Sequence, residues 1–222
     1  MLQRFILKKF LISLLYSFIF IKASAQNQDI DNKVIVTVSP LALADIYDGA
    51  SIRIGSEIKL QRNISFAIEG GTYVNYLNAT KINPEGYLIR PAFKYYLNKQ
   101  RISGKYIALE YQFKHQTYDM HDSIEINLNR YEKQYGMKRT VHSAVLKFGK
   151  LRNIGKNFLL EWYCGIGIRH IRSHSNLNEE EKEGILTGEE GDCPIQEDII
   201  RLTGTRIFPD FHAGIKLGLR IK

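Results

Sequence analysis

The 222-residue sequence predicts an all-β fold, a single eight-stranded antiparallel up-and-down transmembrane β-barrel. Three features predict it. Apolar and polar residues alternate along about eight segments, the connections between these segments are alternately short and long, and glycines accompany charges on the polar face. Alternation is typical of strands with two different faces. After Gln26 no run of about 18 apolar residues remains, so no transmembrane helix is predicted.

The N-terminus has the pattern of a cleaved secretory signal peptide. Basic residues precede an apolar run at residues 10–21, and Ala23 and Ala25 are small residues where signal peptidase cleaves. The run is shorter than the roughly 20 residues that span a bilayer as a helix. A retained N-terminal anchor is the alternative. We expect residues 1–25 to be removed after Ala25 and residues 26–222 to form one barrel domain.

Charge and cysteine content exclude several classes of protein. The net charge of +8 falls to +4 when the four basic residues of the signal segment are removed, which is too mild and too evenly spread to indicate nucleic-acid binding. Cys164 and Cys193 have neither a metal-site nor a redox spacing. An oxidising compartment would permit a disulfide, but one residue is predicted mid-strand and the other deep in a loop. No cofactor is predicted.

The alternating segments give eight candidate strands. They cover residues 33–43, 50–60, 64–76, 87–97, 104–118, 139–151, 158–172 and 207–221. The last strand alternates most clearly, because Phe211, Ile215 and Leu217 fall on one face while His212 and Lys216 fall on the other. The first and sixth strands alternate less regularly.

The connections between these strands differ systematically in length. Short polar turns are predicted at residues 61–63, 98–103 and 152–157, and longer connections at 77–86, 119–138 and 173–206. The brief connection near residues 44–49 is an exception. Short turns at one end of a barrel and long loops at the other are typical of outer-membrane barrels.

Aromatic residues near the strand ends predict two girdles at the membrane interfaces. The girdle at the short-turn end would comprise Phe66, Tyr95, Tyr96, Tyr106, Phe148 and Phe158, and the girdle at the long-loop end Tyr47, Tyr76, Tyr87 and Tyr118. The alternative is that aromatic residues are simply common in strands.

The charged residues of the polar face are predicted to fill the lumen. An eight-stranded barrel is only wide enough inside for side chains. The predicted polar network comprises Arg53, Glu57, Glu69, Arg90, Lys94, Glu110, Lys114, Lys147, Glu161, Arg169, Asp210, Lys216 and Arg220. Unpaired charges are costly in such a space, so a plug of ion pairs is expected. A narrow conduit or an anion site is the alternative.

The segment Lys22–Gln26, the alternating strands and the ending Phe211–Lys222 together resemble the family of small Gram-negative outer-membrane β-barrel proteins of unknown function. The resemblance implies contact with outer-membrane lipid and lipopolysaccharide, and insertion by the barrel-assembly machinery. The function that we favour is that of a non-enzymatic protein, either structural or presenting its extracellular loops, residues 119–138 and 173–206, to a ligand.

One segment offers weak catalytic candidates, His174, Ser175 and Asn176. A serine activated by a histidine could hydrolyse an ester, and outer-membrane lipid A deacylases are barrels in which one residue separates the histidine from Ser-Asn. Here the histidine and the serine are direct neighbours, which places them on opposite faces of a strand. A lipid esterase and a narrow channel are therefore kept as alternatives to the non-enzymatic interpretation.

The last long loop is acidic at residues 178–184 and 188–192. Clustered carboxylates could bind Ca²⁺, but the spacing fits no EF-hand and an acidic run is usually solvated. We instead expect this loop to contact the basic end of the preceding long connection, at Lys133, Lys138 and Arg139, through a salt-dependent attraction.

Overall fold

One sheet closes on itself to form the protein. The computed structural model describes residues 34–44, 49–74, 81–97, 103–154, 157–186 and 203–221. The predicted signal peptide, Cys193 and the acidic residues from Gly188 to Asp192 lie outside these ranges. Within them, eight antiparallel strands pair in chain order and form a closed barrel, which confirms the predicted all-β, up-and-down fold.

The strands differ greatly in length. They are β1 (Val34–Val38), β2 (Ser51–Lys59), β3 (Ile64–Tyr73), β4 (Ile82–Tyr96), β5 (Gly104–Ile126), β6 (Asn129–Asn153), β7 (Phe158–Ser175) and β8 (Gly204–Ile221). The barrel closes between β1 and β8, whose register runs from Val34 opposite Ile221 to Val38 opposite Leu217. Closure therefore pairs all five residues of β1 with the last five residues of β8.

The first strand is shorter than predicted. β1 ends at Val38, and residues Pro40–Ala44 form a 3₁₀ helix where the strand was expected to continue to residue 43. Pro40 explains the difference, because proline has no N–H for a sheet ladder and its fixed φ suits the first turn of a helix.

The prediction of a long loop at residues 119–138 is wrong, because this segment is a β-hairpin. β5 and β6 stay in register from Gly104 opposite Leu151 to Ile126 opposite Asn129. Asn127 and Leu128 join them with φ values of 50° and 68°, and two left-handed residues match the twist of a hairpin.

The hairpin extends beyond the barrel wall. The pairing of β5 with β4 ends at Asp119, and the pairing of β6 with β7 ends at Met137. Residues 120–136 are therefore called the protruding hairpin, and the end of the barrel from which it projects is called the hairpin end. The opposite end, where β2 turns into β3 near residues 60–63, is the short-turn end.

A small apolar core stabilises the base of the protruding hairpin. Its buried members are Tyr118, Met120, Ile124, Tyr135, Met137 and Leu177. Residues 176–186, called the return segment, fold back over it and contain the short helix α1 (Glu179–Glu183). The Glu125 N–H donates to Gly184 O, and the Leu186 N–H donates to Ser123 O, so the return segment covers the free edge of β5.

The strands β2 and β3 are slightly shorter than predicted, at Ser51–Lys59 and Ile64–Tyr73, whereas several other boundaries move outward by a few residues. β4 begins at Ile82 instead of residue 87, with an irregular register between Ile82 and Glu85 where Pro84 interrupts the alternation. β7 and β8 each gain three residues at the hairpin end. Polar residues at these positions interrupt the alternation of apolar and polar side chains, so the sequence did not indicate that the strands extend this far.

The two faces of the sheet have opposite character. Charged and polar residues are buried inside together with apolar ones such as Leu88, Val145 and Leu159, whereas large apolar residues on all eight strands are exposed outside. In the described part of the chain, no helix is long and apolar enough to cross a membrane.

The predicted aromatic girdles need correction. Tyr96, Tyr106 and Tyr118 are buried inside. Each lies an even number of residues from an inward-facing charged or polar residue of its strand and therefore shares the inward face. Tyr106 faces Gly149 across the β5–β6 pair. A Cβ at that glycine would overlap the tyrosine ring, so the glycine provides the space that the inward ring occupies. Tyr47 and Tyr76 lie outside the described residues.

Candidate functional site

The interior holds nearly all of the predicted polar network. Twelve of its thirteen residues are buried, and only Arg220 is half-exposed near the end of β8. Arg220 Nη2 donates to Asn153 Oδ1 at 3.1 Å. Arg220 differs from the others in position, since it lies one residue from the end of β8, at the short-turn end of the barrel.

Lys94 organises the network at the short-turn end. Its Nζ lies 2.8 Å from Glu57 Oε2 and 2.8 Å from Glu161 Oε1, so one cation bridges two carboxylates. The Tyr96 hydroxyl donates to Glu57 Oε1 at 2.6 Å, and the Tyr106 hydroxyl donates to Glu161. Buried carboxylates need such partners, because an unsatisfied charge in a dry interior is strongly destabilising.

Two further ion pairs fill the middle of the barrel. Lys216 Nζ lies 2.5 Å from Glu69 Oε2, and Lys147 Nζ lies 2.6 Å from Glu110 Oε2. Arg90 approaches Glu69 at 3.6 Å through Nη1. Lys216 and Glu69 lie on β8 and β3, which are not neighbours in the sheet, so this pair braces the barrel from within, whereas the other two contacts join neighbouring strands.

Asp210 anchors the next layer toward the hairpin end. It accepts hydrogen bonds from the Ser143 hydroxyl and from Arg169. His212 Nε2 lies 3.2 Å from Asp210 Oδ2, and His212 Nδ1 lies 3.4 Å from Glu110 Oε1. The sequence analysis left His212 out of the network, although it shares the inward face of β8 with Asp210 and Lys216.

Several other inward residues were also missed. Lys81 Nζ donates to Gln116 Oε1 at 3.1 Å, and Arg139 Nε donates to Ser173 Oγ at 3.0 Å. Gln112 Oε1 accepts a hydrogen bond from Arg90 Nε at 2.5 Å. The signal was available for Gln112 and Gln116, because they occupy the same alternating positions of β5 as Lys114, which is itself buried.

A small gap lies between described residues of the interior. It is bordered by Glu69, Glu110 and Glu161 and has a volume of about 20 Å³, which is enough for roughly one water molecule. Each of the three carboxylates has one buried oxygen without a hydrogen-bond partner in the described structure. A water molecule in the gap can solvate these oxygens, but the gap is far smaller than the 300–1,000 Å³ or so of a small-molecule pocket.

The three weak catalytic candidates separate in space. His174 is exposed on the outward face of β7, whereas Ser175 is buried on the inward face. Asn176 continues the β6–β7 ladder, since its N–H donates to Gly136 O at 3.2 Å and its Oδ1 accepts from the Gly136 N–H at 3.0 Å. The arrangement therefore brings no histidine to Ser175 within this segment.

The acidic return segment contacts the protruding hairpin, as the sequence analysis expected. Lys133 Nζ donates to Glu181 Oε1 at 2.5 Å, and the Tyr131 hydroxyl donates to the same oxygen at 3.3 Å. The hydrogen bond from Lys133, with a second from the Asn178 N–H, lowers the pKa of Glu181 below its usual value. Lys138 and Arg139 take no part in this contact among the described residues.

No metal site is evident in the described ranges, where no group of three or more His, Cys, Asp or Glu side chains is placed to hold an ion. Cys164 is a free thiol exposed on the outward face of β7.

A comparison with models of protein families finds a match for this chain. A family model described as "Protein of unknown function (DUF3575)" matches residues 11–189, which is most of the chain. No curated protein and no solved structure matches the chain significantly.

Proposed function

The chain belongs to this family of proteins of unknown function, DUF3575, and we propose that it is a non-enzymatic integral β-barrel of a Gram-negative outer membrane. On this proposal, the signal peptide directs export, the barrel-assembly machinery inserts the strands, and the protruding hairpin presents a binding surface outside the cell. The observation that carries the proposal is the belt of exposed apolar side chains around a closed, charge-filled barrel.

One row of the belt illustrates its character. Leu109, Leu146, Ile166 and Phe211 lie side by side across β5 to β8 in the sheet register. Their exposed fractions are 61%, 43%, 55% and 70%. Contiguous apolar surface of this kind is unfavourable in water and marks a contact with lipid or with another protein.

The inside of the barrel supports lipid as that contact. A soluble barrel buries its apolar face in the interior, whereas a membrane barrel turns it outward and keeps a polar lumen. Here the ion pairs of Lys94 with Glu57 and of Lys216 with Glu69 fill the interior. Apolar residues on all eight strands point away from it, so the apolar surface surrounds the barrel and is not confined to one patch.

The protruding hairpin supports a role in presenting a surface. Its tip residue Leu128 is 92% exposed, and the return segment packs on the hairpin through Lys133 and Glu181. A loop that is folded onto its own small core can offer a fixed shape to a ligand, while the barrel holds it at the membrane surface.

The two alternative functions gain no support from the geometry. Ion pairs that fill the lumen disfavour a conducting pore, and a conductance measurement in planar bilayers tests this directly. An esterase at Ser175 would need a histidine on the same face, and His174 is on the opposite one.

Cell fractionation tests the proposal. The mature protein should be recovered with the outer membrane and should migrate differently on gels when it is not heated, because closed barrels resist unfolding by detergent. Recovery in the soluble periplasm would contradict the proposal.

Cysteine labelling tests the orientation in a Cys164→Ser, Cys193→Ser background. A membrane-impermeant maleimide should label Leu128→Cys, at the hairpin tip, on intact cells. The matched variant Gln61→Cys, at the short-turn end, should be labelled only after lysis. The reverse result would show that the hairpin faces the periplasm, and the binding-surface proposal would fail.

A further inference from the structure

The outward face of β6 and β7 carries a row of basic residues at the hairpin end. Lys138 and His174 lie opposite each other in register, and Arg172 lies opposite Thr140 one step closer to the membrane belt. All three basic residues are exposed. The three side chains therefore converge on one patch that spans two neighbouring strands.

A polar aromatic row lies directly beneath this patch. His142 and His170 face each other across the same strand pair, with ring centroids 6.4 Å apart. Tyr111 OH lies 2.6 Å from His142 Nδ1. Below it the outward residues of β7 become apolar, beginning with Ile168. Rings with polar atoms above an apolar belt are typical of a membrane interface.

The height of the patch agrees with that interface. Eight residues of β6 separate Lys150, beside Trp162 at the short-turn end, from His142. A rise of about 3.3 Å per residue and a strand tilt of about 40° place the two levels about 20 Å apart. A membrane barrel has an apolar band about 25 Å tall, so Arg172 and Lys138 lie at the level of lipid headgroups.

The patch is confined to one side of the barrel. The corresponding outward positions near the hairpin end of β2, β3 and β8 hold the uncharged residues Ile52, Thr72 and Thr205. By register, two outward carboxylates border the patch, Glu85 on β4 and Asp119 on β5. Asp119 Oδ2 accepts a hydrogen bond from Gln134 Nε2 at 3.2 Å, so it already has a partner on the hairpin.

The three basic residues have no side-chain partner in the part of the chain that the structure describes. Lys138, Arg172 and His174 form no ion pair or side-chain hydrogen bond there, in contrast to Lys133, which binds Glu181. The exposed cations Lys138 and Arg172, with the N–H donor of His174 beside them at headgroup height, are complementary to a doubly charged anion such as a phosphate monoester.

We propose that Lys138, Arg172 and His174 form a binding site for the phosphate groups of an outer-leaflet glycolipid, the lipid A part of lipopolysaccharide. The proposal rests on the membrane location proposed above. Arg172 can bind a phosphate through two N–H groups, while Lys138 supplies a more mobile point charge. The acyl chains of the same lipid would then lie along Ile168 and Ile166, so one molecule satisfies both the charged and the apolar surface.

A lipid-binding measurement tests the site on the whole mature protein in neutral phosphatidylcholine nanodiscs. Lipid A carrying both phosphates is titrated beside the same lipid A without phosphates, and retained lipid is counted by mass spectrometry. The parent should bind the phosphorylated form at least about tenfold more tightly. The variant Lys138→Gln/Arg172→Gln/His174→Gln should bind both forms equally weakly.

The matched control removes three outward cations from the opposite end, Lys105→Gln/Lys150→Gln/Arg152→Gln, and should keep the preference. The proposal is overturned if the parent binds both lipids equally, or if the control loses the preference as fully as the first triple variant does. Should that first variant not fold, Arg172→Gln replaces it. Arg172→Gln should weaken binding of the phosphorylated form, and Arg172→Lys should restore most of it.

The same samples separate this site from the proposed function. Unheated gel migration and protease protection report whether each protein is inserted in the bilayer. If the parent does not insert, the proposed membrane function is wrong. If the parent inserts and shows no preference for the phosphorylated lipid, only the phosphate site is wrong.

Discussion

Lys216 Nζ lies 2.5 Å from Glu69 Oε2, although β1 and β2 separate their strands in the sheet. The contact therefore crosses the lumen and does not run along the wall. Both side chains are buried, and the Ser39 hydroxyl donates to the same carboxylate oxygen at 2.9 Å. The pair ties two distant parts of the wall together, so removing it should destabilise the whole barrel.

Replacing Lys216 by Met tests this role. The change leaves the Glu69 carboxylate buried without its main cation, and breaking a buried pair costs about 3–5 kcal/mol. The free energy of unfolding should fall by that amount in urea titrations of the protein refolded into vesicles. Leu217→Met is the control, because Leu217 is the outward-facing neighbour of Lys216, and it should cost less than about 1.5 kcal/mol. Equal losses in the two variants would show that the faces are assigned incorrectly.

A double variant isolates the pair itself. Glu69→Gln added to Lys216→Met removes the orphaned charge, so the combined loss should be smaller than the sum of the single losses. The expected coupling is about 0.5–3 kcal/mol. Strict additivity would mean that the two residues do not interact in the folded barrel.

An arginine on the belt tests whether the belt faces lipid. Leu146 lies in the middle of the belt between Leu109 and Ile166. Leu146→Arg should lower the free energy of unfolding in vesicles by about 2–4 kcal/mol, the cost of arginine near the bilayer midplane. Leu128→Arg makes the same exchange at the hairpin tip and should change it by less than about 0.5 kcal/mol. A water-exposed belt would make both substitutions equally harmless.

The contact between the protruding hairpin and the return segment should depend on pH. The pKa of Glu181 is lowered from its ordinary value of 4.5 by the hydrogen bond from Lys133. A carboxylate with a lowered pKa stabilises the folded contact fully above pH 4.5, and this contribution is lost as the pH falls through the lowered value. Protonation then weakens the ion pair that holds the return segment.

Hydrogen exchange at the Glu125 and Leu186 amides measures this effect, because both N–H groups bond between the two segments. Their protection, corrected for intrinsic exchange, should be constant above about pH 4.5 and should fall as the pH is lowered further. Lys133→Gln should reduce the protection at neutral pH and flatten its pH dependence. Constant protection of the unmodified protein at these lower pH values would contradict the assigned role of Glu181.

Alternation was sufficient to predict the barrel strands and their faces. On β7, for example, Trp162, Ile166 and Ile168 were assigned to one face and Glu161 and Arg169 to the other, and the structure agrees. The reason is that side-chain direction in a strand repeats every two residues, so composition alone separates the faces. The ion pairs could not be predicted in this way, because Lys216 and Glu69 meet only after closure sets the register.

The protruding hairpin escaped prediction for a different reason. Outside the barrel, both faces of β5 and β6 carry polar residues, so the contrast that marks a membrane strand is absent. The Asn127–Leu128 turn also lacks the glycine that usually signals a tight hairpin. The alternation of Tyr118, Met120 and Ile124 was present, but it packs against the return segment, whose path the sequence does not reveal.

Fluorescence of the single tryptophan tests the membrane proposal most directly, because it needs no substitution. Trp162 faces outward at the short-turn end of the belt, 37% exposed, with Lys150 Nζ 5.6 Å from its ring centroid. In vesicles, brominated lipids should quench its emission strongly, most of all when the bromines lie near the headgroups, and aqueous acrylamide should quench it weakly. Strong quenching by acrylamide with none by brominated lipids would contradict a lipid-facing belt.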